Sequence, residues 1–458
     1  MCGGCSRRRP VSRLRPLISA QLQVPFRGNS AGLHPLTWGQ KDLYQALARY
    51  SRTFNMKATV PVPANVDLPQ VGDALRWALE RYEGLRTVFP ASREWTAQQC
   101  VLQEGRLSVP VLPTGREGEP GTEQHGFGRP FDLAAELPIR CALIADGGVP
   151  RRLVLELSRL TADLWARRIL ERTLAARLAG AAHWQAGPAH QPADQATAES
   201  QPASTAASAA SAAYIARLLD TYPVTAFPAP GRADESTRAH AVPSRPRAKM
   251  TSPALGWAVG VLSRRYRVSV PSVYLAYVAL LISALSGTQR FIANMVSSNR
   301  WIPGGRDYLG TLNQYVPVAI HLGEADFPAV LRRVQSASLL GFSHGLYDIA
   351  DLKALAGHDA LGQVDCTINV SQPRGRSRLN ESRPSAAVMA ATSVTELPQV
   401  DDFPGEIRRS LHLLAGGTSD EPQLTLTVNR SVVPVRPDAL LRDLESRAVR
   451  DAEAAGRH

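Results

Sequence analysis

Cysteine is scarce in this chain: five among 458 residues. Cys2 and Cys5 make one Cys-x-x-Cys, and with no second pair beside it no zinc or redox centre is assigned. Cys100, Cys141 and Cys366 are scattered and read as buried thiols. No disulfide framework is expected, which excludes a small stapled secreted fold. Long apolar runs are also missing. Residues 1–20 carry Arg7, Arg8, Arg9, Arg13 and Arg15 with no apolar stretch after them, so they read as a disordered basic leader and not as a secretory signal. The longest apolar helix expected, Ser272 to Leu285, falls well short of the ~20 residues of a membrane span. Acid is the scarcer charge, with Lys+Arg 52 against Asp+Glu 40 and a net charge of +12. Beyond the leader no basic face is concentrated, so nucleic acid is not expected as a partner, and an acidic protein partner fits better. Cytoplasm is the expected compartment, and neither a metal nor a membrane is expected.

What is present is organised around Leu153 to Leu178. Leu153 to Leu157 reads as a buried strand. Ser158 and Arg159 make a polar step. Leu164, Ile169, Leu170, Leu174 and Leu178 then recur at helical spacing. A strand that hands a polar loop to a helix start is a frequent place for chemistry. A core strand and helix with a solvated arginine between them is the plainer reading of the same pattern.

Other segments fall into place around it. Leu22 to Phe26 reads as a short strand. Pro35-Leu36-Thr37-Trp38-Gly39-Gln40 precedes a helix that Thr37 would cap. Val71, Leu75, Leu79 and Tyr82 form a helical stripe. It ends in Arg81-Tyr82-Glu83-Gly84-Leu85-Arg86-Thr87-Val88-Phe89, where Gly84 is expected to cap the helix and Leu85 to Phe89 to open a strand. Ala, Pro, Ser, Gln and His dominate from Gly180 to Met250, as in a flexible connection. Within it Gly187 to Ala213 is expected to be disordered or loosely packed, with a helix at Tyr214 to Tyr222. Beyond it, helices are expected at Pro253 to Arg265 and Pro271 to Ser286, the second apolar nearly all round. Strands are expected at Phe291 to Val296, Val316 to Leu322, Cys366 to Ser371 and Gln423 to Asn429. The division is leader 1–20, N-terminal lobe 21–180, connection 181–250 and C-terminal lobe 251–458.

The stretch Arg81 to Phe89 resembles condensation domains of nonribosomal peptide synthetases, which carry Arg-His-Glu-x-Leu-Arg-Thr-x-Phe there; the departure is Tyr82. Arg129-Pro130-Phe131-Asp132-Leu133 with Leu137-Pro138-Ile139-Arg140 is similar to the family's Pro-Phe-Asp-Leu…Pro-Leu-x-Arg segment. Thr37 and Gln40 resemble its opening motif. Asn299-Arg300, Gly310 and Leu312 to Pro317 resemble its Gly-Arg…Gly-x-x-x-Asn region, with Asn299 for the first glycine and Gln314 for the asparagine. Ser158 to Trp165 occupies the place of the signature His-His-x-x-x-Asp-Gly, often followed by Trp. Asp163 and Trp165 match it. Ser158 and Arg159 stand for the histidines, and Leu164 for the glycine. The late Asp-Phe-Gly-Trp-Gly motif is not recognisable; Asp402-Phe403-Pro404-Gly405 is the nearest string.

The resemblance implies an α/β fold of two chloramphenicol-acetyltransferase-like lobes, each a mixed sheet with helices, set in a V around a tunnel. It implies a free-standing member with a degenerate signature. Its partner would be an acyl or peptidyl carrier protein, whose phosphopantetheine arm tethers the substrate; no cofactor is expected. Ser158 and Arg159 hold the catalytic positions. Guanidinium does not deprotonate, so Arg159 cannot act as a base, though it can stabilise an oxyanion. Asp163 is expected to be structural, paired first with Arg300 or else with Arg86. Trp165, Thr161 and Gln314 are the tunnel candidates. Three functions follow: an atypical amide- or ester-forming acyltransferase, a non-catalytic docking module like the domains that recruit cytochrome P450 enzymes, or a decayed paralogue.

Overall fold

The computed structural model describes residues 21–49, 55–90, 98–114, 122–181, 187–227, 245–371, 384–398 and 409–456. The leader with Cys2 and Cys5, and the string Asp402 to Gly405, lie outside them.

Two sheets organise the chain. The first part contains β1 (Gln21–Arg27), β2 (Gly32–Pro35), α1 (Trp38–Arg49), β3 (Met56–Pro61), α2 (Leu68–Arg81), β4 (Thr87–Val88), β5 (Gln98–Val101), β6 (Glu104–Pro113), β7 (Ile139–Asp146), β8 (Val149–Leu157) and α3 (Leu164–Leu178). Next come α4 (Pro192–Glu199) and α5 (Pro202–Thr221). The last part contains β9 (Arg247–Thr251), α6 (Pro253–Tyr266), α7 (Val270–Ser286), β10 (Arg290–Ser297), β11 (Gln314–His321), α8 (Phe327–Ser343), α9 (Ile349–Ala356), β12 (Cys366–Val370), α10 (Ala386–Met389), β13 (Ser393–Leu397), β14 (Leu411–Gly417), β15 (Pro422–Val428) and α11 (Pro437–Ala455).

The N-terminal sheet has five strands in the order β1-β6-β7-β8-β3, with β6 and β7 parallel. The C-terminal sheet has seven, β11-β10-β12-β14-β15-β9-β13, with β12 parallel to both neighbours. A small sheet, β2-β5-β4, completes the described strands. Each large sheet has its own apolar core. In the first, α2 lies against β1 and α3 against β3, with Leu75, Leu79, Ile169, Leu170 and Leu174 in the core beneath them. In the second, α7 is buried on nearly every side, as its all-round apolar sequence requires.

Local chemistry sets the helix ends. Asp67 accepts from the Gln70 amide, and Gln70 Oε1 accepts from the Asp67 amide. This reciprocal cap is worth ~1 kcal/mol. Ser252 and Ser269 cap α6 and α7 by accepting from the Leu255 and Ser272 amides, and Gly287 in the left-handed region closes α7.

Two expectations need correction. Gly84 does not end α2; Tyr82 does, and Glu83–Arg86 form a 3-10 turn that leaves only Thr87–Val88 as strand. The tract 187–213 is not loosely packed where described. It holds α4 and most of α5, and Gln195, Ala196, Glu199, Ser208 and Ala212 are buried. Alanine and serine read as a linker by composition, yet alanine is the best helix former and lets backbones approach closely. Tyr214, Ile215 and Leu218 then pack on Tyr347, Ile349 and Leu352, so α5 docks against α9. Cys141 and Cys366 are buried and Cys100 is partly so.

Candidate functional site

The buried strand β8 delivers a six-residue turn, 158–163, to the start of α3. Its first member, Ser158, is buried, and its hydroxyl accepts from the Leu160 amide at 3.3 Å. The Ser158 carbonyl accepts from the amides of Thr161 and Ala162. Ser158 is thus spent on folding the turn, and no base is bonded to its hydroxyl among the described residues.

Arg159 is half-buried. Its backbone carbonyl accepts a hydrogen bond from Thr311 Oγ1, on the far side of the seam between the lobes. Its Nε is shielded from water and has no hydrogen-bond partner among the described residues. The turn is therefore pinned by its backbone, while the guanidinium remains available.

Asp163 closes the turn as N-cap of α3, with Oδ1 accepting from the Ala166 amide at 2.8 Å. The same oxygen takes a charge-assisted bond from Arg300, and Oδ2 accepts from the Leu312 amide at 3.2 Å. Asp163 and Arg300 are 3% and 5% exposed, so the pair is interior. Arg300 also donates to the carbonyls of Gly305, Tyr308 and Gly310 at 3.1, 2.6 and 2.9 Å. One ion pair thereby shapes loop 300–310 of the C-terminal lobe and fastens it to the N-terminal helix. Gly310 has no room for a side chain, since a Cβ there would lie 2.1 Å from the Tyr308 ring. Asn299 has φ 51°, a left-handed conformation that asparagine tolerates, and its amide donates to the carbonyls of Leu312 and Gly345. That conformation explains how asparagine can stand where the family resemblance has glycine.

The remaining sequence candidates separate. Arg86 does not reach Asp163. It is buried elsewhere, donating to the carbonyls of Ser30 and Leu102 at 2.8 and 2.6 Å and to Ser30 Oγ. Burial pushes its guanidinium down, opposed by Glu83. Thr161 donates to the Gly84 carbonyl at 3.1 Å and is interior. Gln314 is held at both ends by the Tyr347 backbone, donating at 2.9 Å and accepting at 3.3 Å. The polar groups of both side chains are thus engaged within the fold. Trp165 lies on the seam, its indole N–H donating to the Arg306 carbonyl at 2.9 Å.

A group that the sequence did not single out sits nearby. Glu199, at the end of α4, is buried; it accepts from the Trp38 amide at 2.6 Å and from Gln195 Nε2 at 2.9 Å. Burial pushes its carboxyl up to about 7, with Asp348 adding and the two hydrogen bonds and Lys41 opposing. The start of α1 ties it to the turn, because Gly39 packs so closely on the Thr311 carbonyl that a Cβ would lie 2.4 Å away. Lys41 and Asp348 pair across the same seam at 2.5 Å. Two signals in the sequence could have found α4: Pro192 at its first turn, and Asp194 three residues after Gln191, whose amide its carboxylate accepts from.

A model of the condensation domain matches residues 31–404. The chain belongs to the condensation-domain family. Among curated relatives, this condensation domain is 36% identical over 169 residues to the nonribosomal peptide synthetase CymA of Salinispora arenicola, covering 35% of this chain and 2% of that protein. It is 27% identical over 160 residues to surfactin synthase subunit 2 of Bacillus subtilis, covering 34% and 4%. The chain thus spans only a small part of the relatives it matches. The condensation domain of the monacolin K polyketide synthase MokA superposes with a TM-score of 0.71 at 18% identity, over 93% of this chain and 99% of that one. The teicoplanin X-domain, in its complex with OxyB, superposes at 0.67 and 18% identity, over 97% and 96%. At such identities these two structures establish the two-lobed chloramphenicol-acetyltransferase-like fold alone. Among the described residues no group of His, Cys, Asp and Glu could hold a metal, and no single helix is long and apolar enough to cross a membrane.

Proposed function

We propose that this condensation domain is an atypical acyltransferase that forms an amide or ester from an acyl group tethered to a carrier protein. The phosphopantetheine arm of the carrier presents the thioester, and no cofactor resident in the chain takes part. The observation that carries this reading is Arg159: a half-buried guanidinium whose Nε has no partner among the described residues, on a turn whose backbone is fixed from both lobes. An amine or hydroxyl of the acceptor attacks the thioester carbonyl. The new C–N or C–O bond forms, the C–S bond breaks, and the acceptor proton leaves with the thiol. Arg159 stabilises the oxyanion between these events, a role worth about 10²–10³ in rate. No histidine stands at the turn, so the ~10²–10⁴ of general-base assistance is forgone and turnover is slow.

The second reading is a non-catalytic docking module that recruits another biosynthetic enzyme. It is favoured by the superposition on the teicoplanin X-domain, a protein solved in complex with OxyB. Product formation by mass spectrometry separates the two, using an acyl-loaded carrier protein with a free amine or alcohol. Wild-type turnover that falls about 10²–10³-fold in Arg159→Ala supports the acyltransferase. If wild type and the Ser158→His/Arg159→His variant both fail to turn over and to bind the carrier, the docking module stands instead.

A further inference from the structure

One face of the C-terminal sheet is apolar and packs on α6, α7, α8 and α11; the other is more polar and is covered at its β10–β11 end by α5 and α9. On the polar face one row of paired residues crosses five strands. Asn294 on β10 pairs with Thr367 on β12, Thr367 with His412 on β14, His412 with Thr427 on β15, and Thr427 with Arg247 on β9. Their neighbours in sequence, such as Met295, Ile368, Leu413, Leu426 and Ala248, point the other way into the core.

The row is buried at one end and leaves polar capacity unused there. Asn294 and Thr367 are 1% and 0% exposed, and Asn294 Oδ1 and Thr367 Oγ1 have no hydrogen-bond partner among the described residues. The Asn294 amide nitrogen is committed to the Leu361 carbonyl at 2.8 Å, so the free end of this side chain is an acceptor. Buried polar atoms of this kind are normally satisfied by water or by a ligand. Cations gather over the same face. Arg247 belongs to the row, and Arg245 precedes it by two residues. Arg409 lies over the Tyr315 ring at 5.2 Å, and Tyr315 pairs with Val296 beside Asn294. Arg245 donates to the Arg409 backbone carbonyl at 2.6 Å, which places its guanidinium beside the base of Arg409.

We infer that this row binds a small oxyanion, a carboxylate or a phosphate that carries a hydrogen-bond donor beside its charge. Arg245, Arg247 and Arg409 attract the anion, and guanidinium suits both kinds of oxyanion. The Thr367 hydroxyl donates to it, and Asn294 Oδ1 accepts from the neighbouring donor. His412 sits between them as a neutral ring. Burial first, and then the charges of Arg409, Arg245 and Arg247, push it down to about 3. None of these residues enters the acyl transfer proposed above, so the inference does not depend on it.

Calorimetric titration of the full chain with inorganic phosphate and, separately, with lactate tests this, with ionic strength held constant by sodium chloride. Saturable binding of either probe, weakened about tenfold or more in Arg247→Gln and in Thr367→Val, is the expected result. The tighter probe tells which oxyanion the site takes. The ring protons of His412 followed by NMR should titrate at higher pH in the saturated complex, because the anion offsets the three guanidiniums. Absence of saturable binding at millimolar probe, or equal binding in both variants, overturns the inference. Thr367→Val keeps the shape of a buried side chain, so the test survives if Arg247→Gln does not fold.

Discussion

The two ends of a single turn are built to opposite specifications. At its far end, Asp163 has both oxygens engaged by a helix amide, a guanidinium and an amide of the other lobe. At its near end, Arg159 contributes only its backbone carbonyl to the fold and leaves Nε without a partner among the described residues. The fold therefore constrains where the turn lies far more tightly than which side chain it presents. That accounts for part of the pattern of resemblance: the aspartate and the following tryptophan are kept, while the second histidine position holds arginine; Ser158, at the first, is itself buried and bonded within the turn. A buried ion pair cannot lose one member cheaply, whereas a half-buried side chain can change with the chemistry demanded of it.

Breaking the saturated end should have the largest effect. Asp163→Ala strands Arg300 in the interior and removes the cap of α3, so unfolding in urea should show a loss of ~3–5 kcal/mol. A loss below ~1 kcal/mol would mean that the carbonyls of Gly305, Tyr308 and Gly310 suffice to hold Arg300, and the contrast between the two ends would dissolve.

The next effect concerns Glu199, which joins α4 to the start of α1. Its carboxyl is raised from 4.5 to about 7 in the folded chain. A raised acid holds its proton more tightly when folded. Its contribution is complete below pH 4.5 and is lost as pH rises through 7. Asp42, raised from 3.8 to about 6 by burial, acts in the same direction. Thermal midpoints of wild type should decline across this window, Glu199 supplying the equivalent of roughly 2–3 kcal/mol, and Glu199→Gln should remove that share of the decline. An unchanged slope in the variant would show that Glu199 is not the titrating group.

The smallest expected effect sharpens the comparison from the other side. Arg159→Ala should alter stability by no more than ~0.5 kcal/mol, read from the same urea curves. A loss above ~2 kcal/mol would make Arg159 a structural residue, and its place in the proposed chemistry would fall with it.

Much of the architecture was legible before any coordinates. The strands at 290–297, 314–321, 366–370 and 422–428 and the helices at 253–266 and 270–286 lie within a few residues of the expected spans. Their apolar period is a local property that burial against any core would read in the same way. The Thr37 cap is likewise local, its hydroxyl accepting from the Gln40 amide at the start of α1. The helices of the connection were misread because alanine and serine carry little apolar signal, and only docking on α9 gives α5 a buried face.

The sequence by itself determined the family, the periodic elements and the presence of a fixed turn between β8 and α3. Tertiary structure joined Asp163 to Arg300, the partner expected first, and alone decided that Thr161 and Gln314 spend their polar groups inside the fold. It alone buried Glu199 and aligned Asn294, Thr367, His412, Thr427 and Arg247 across five strands. The physical reason is range. Periodicity and capping act over a few residues along the chain, whereas ion pairing, desolvation and strand register depend on groups that only folding brings together.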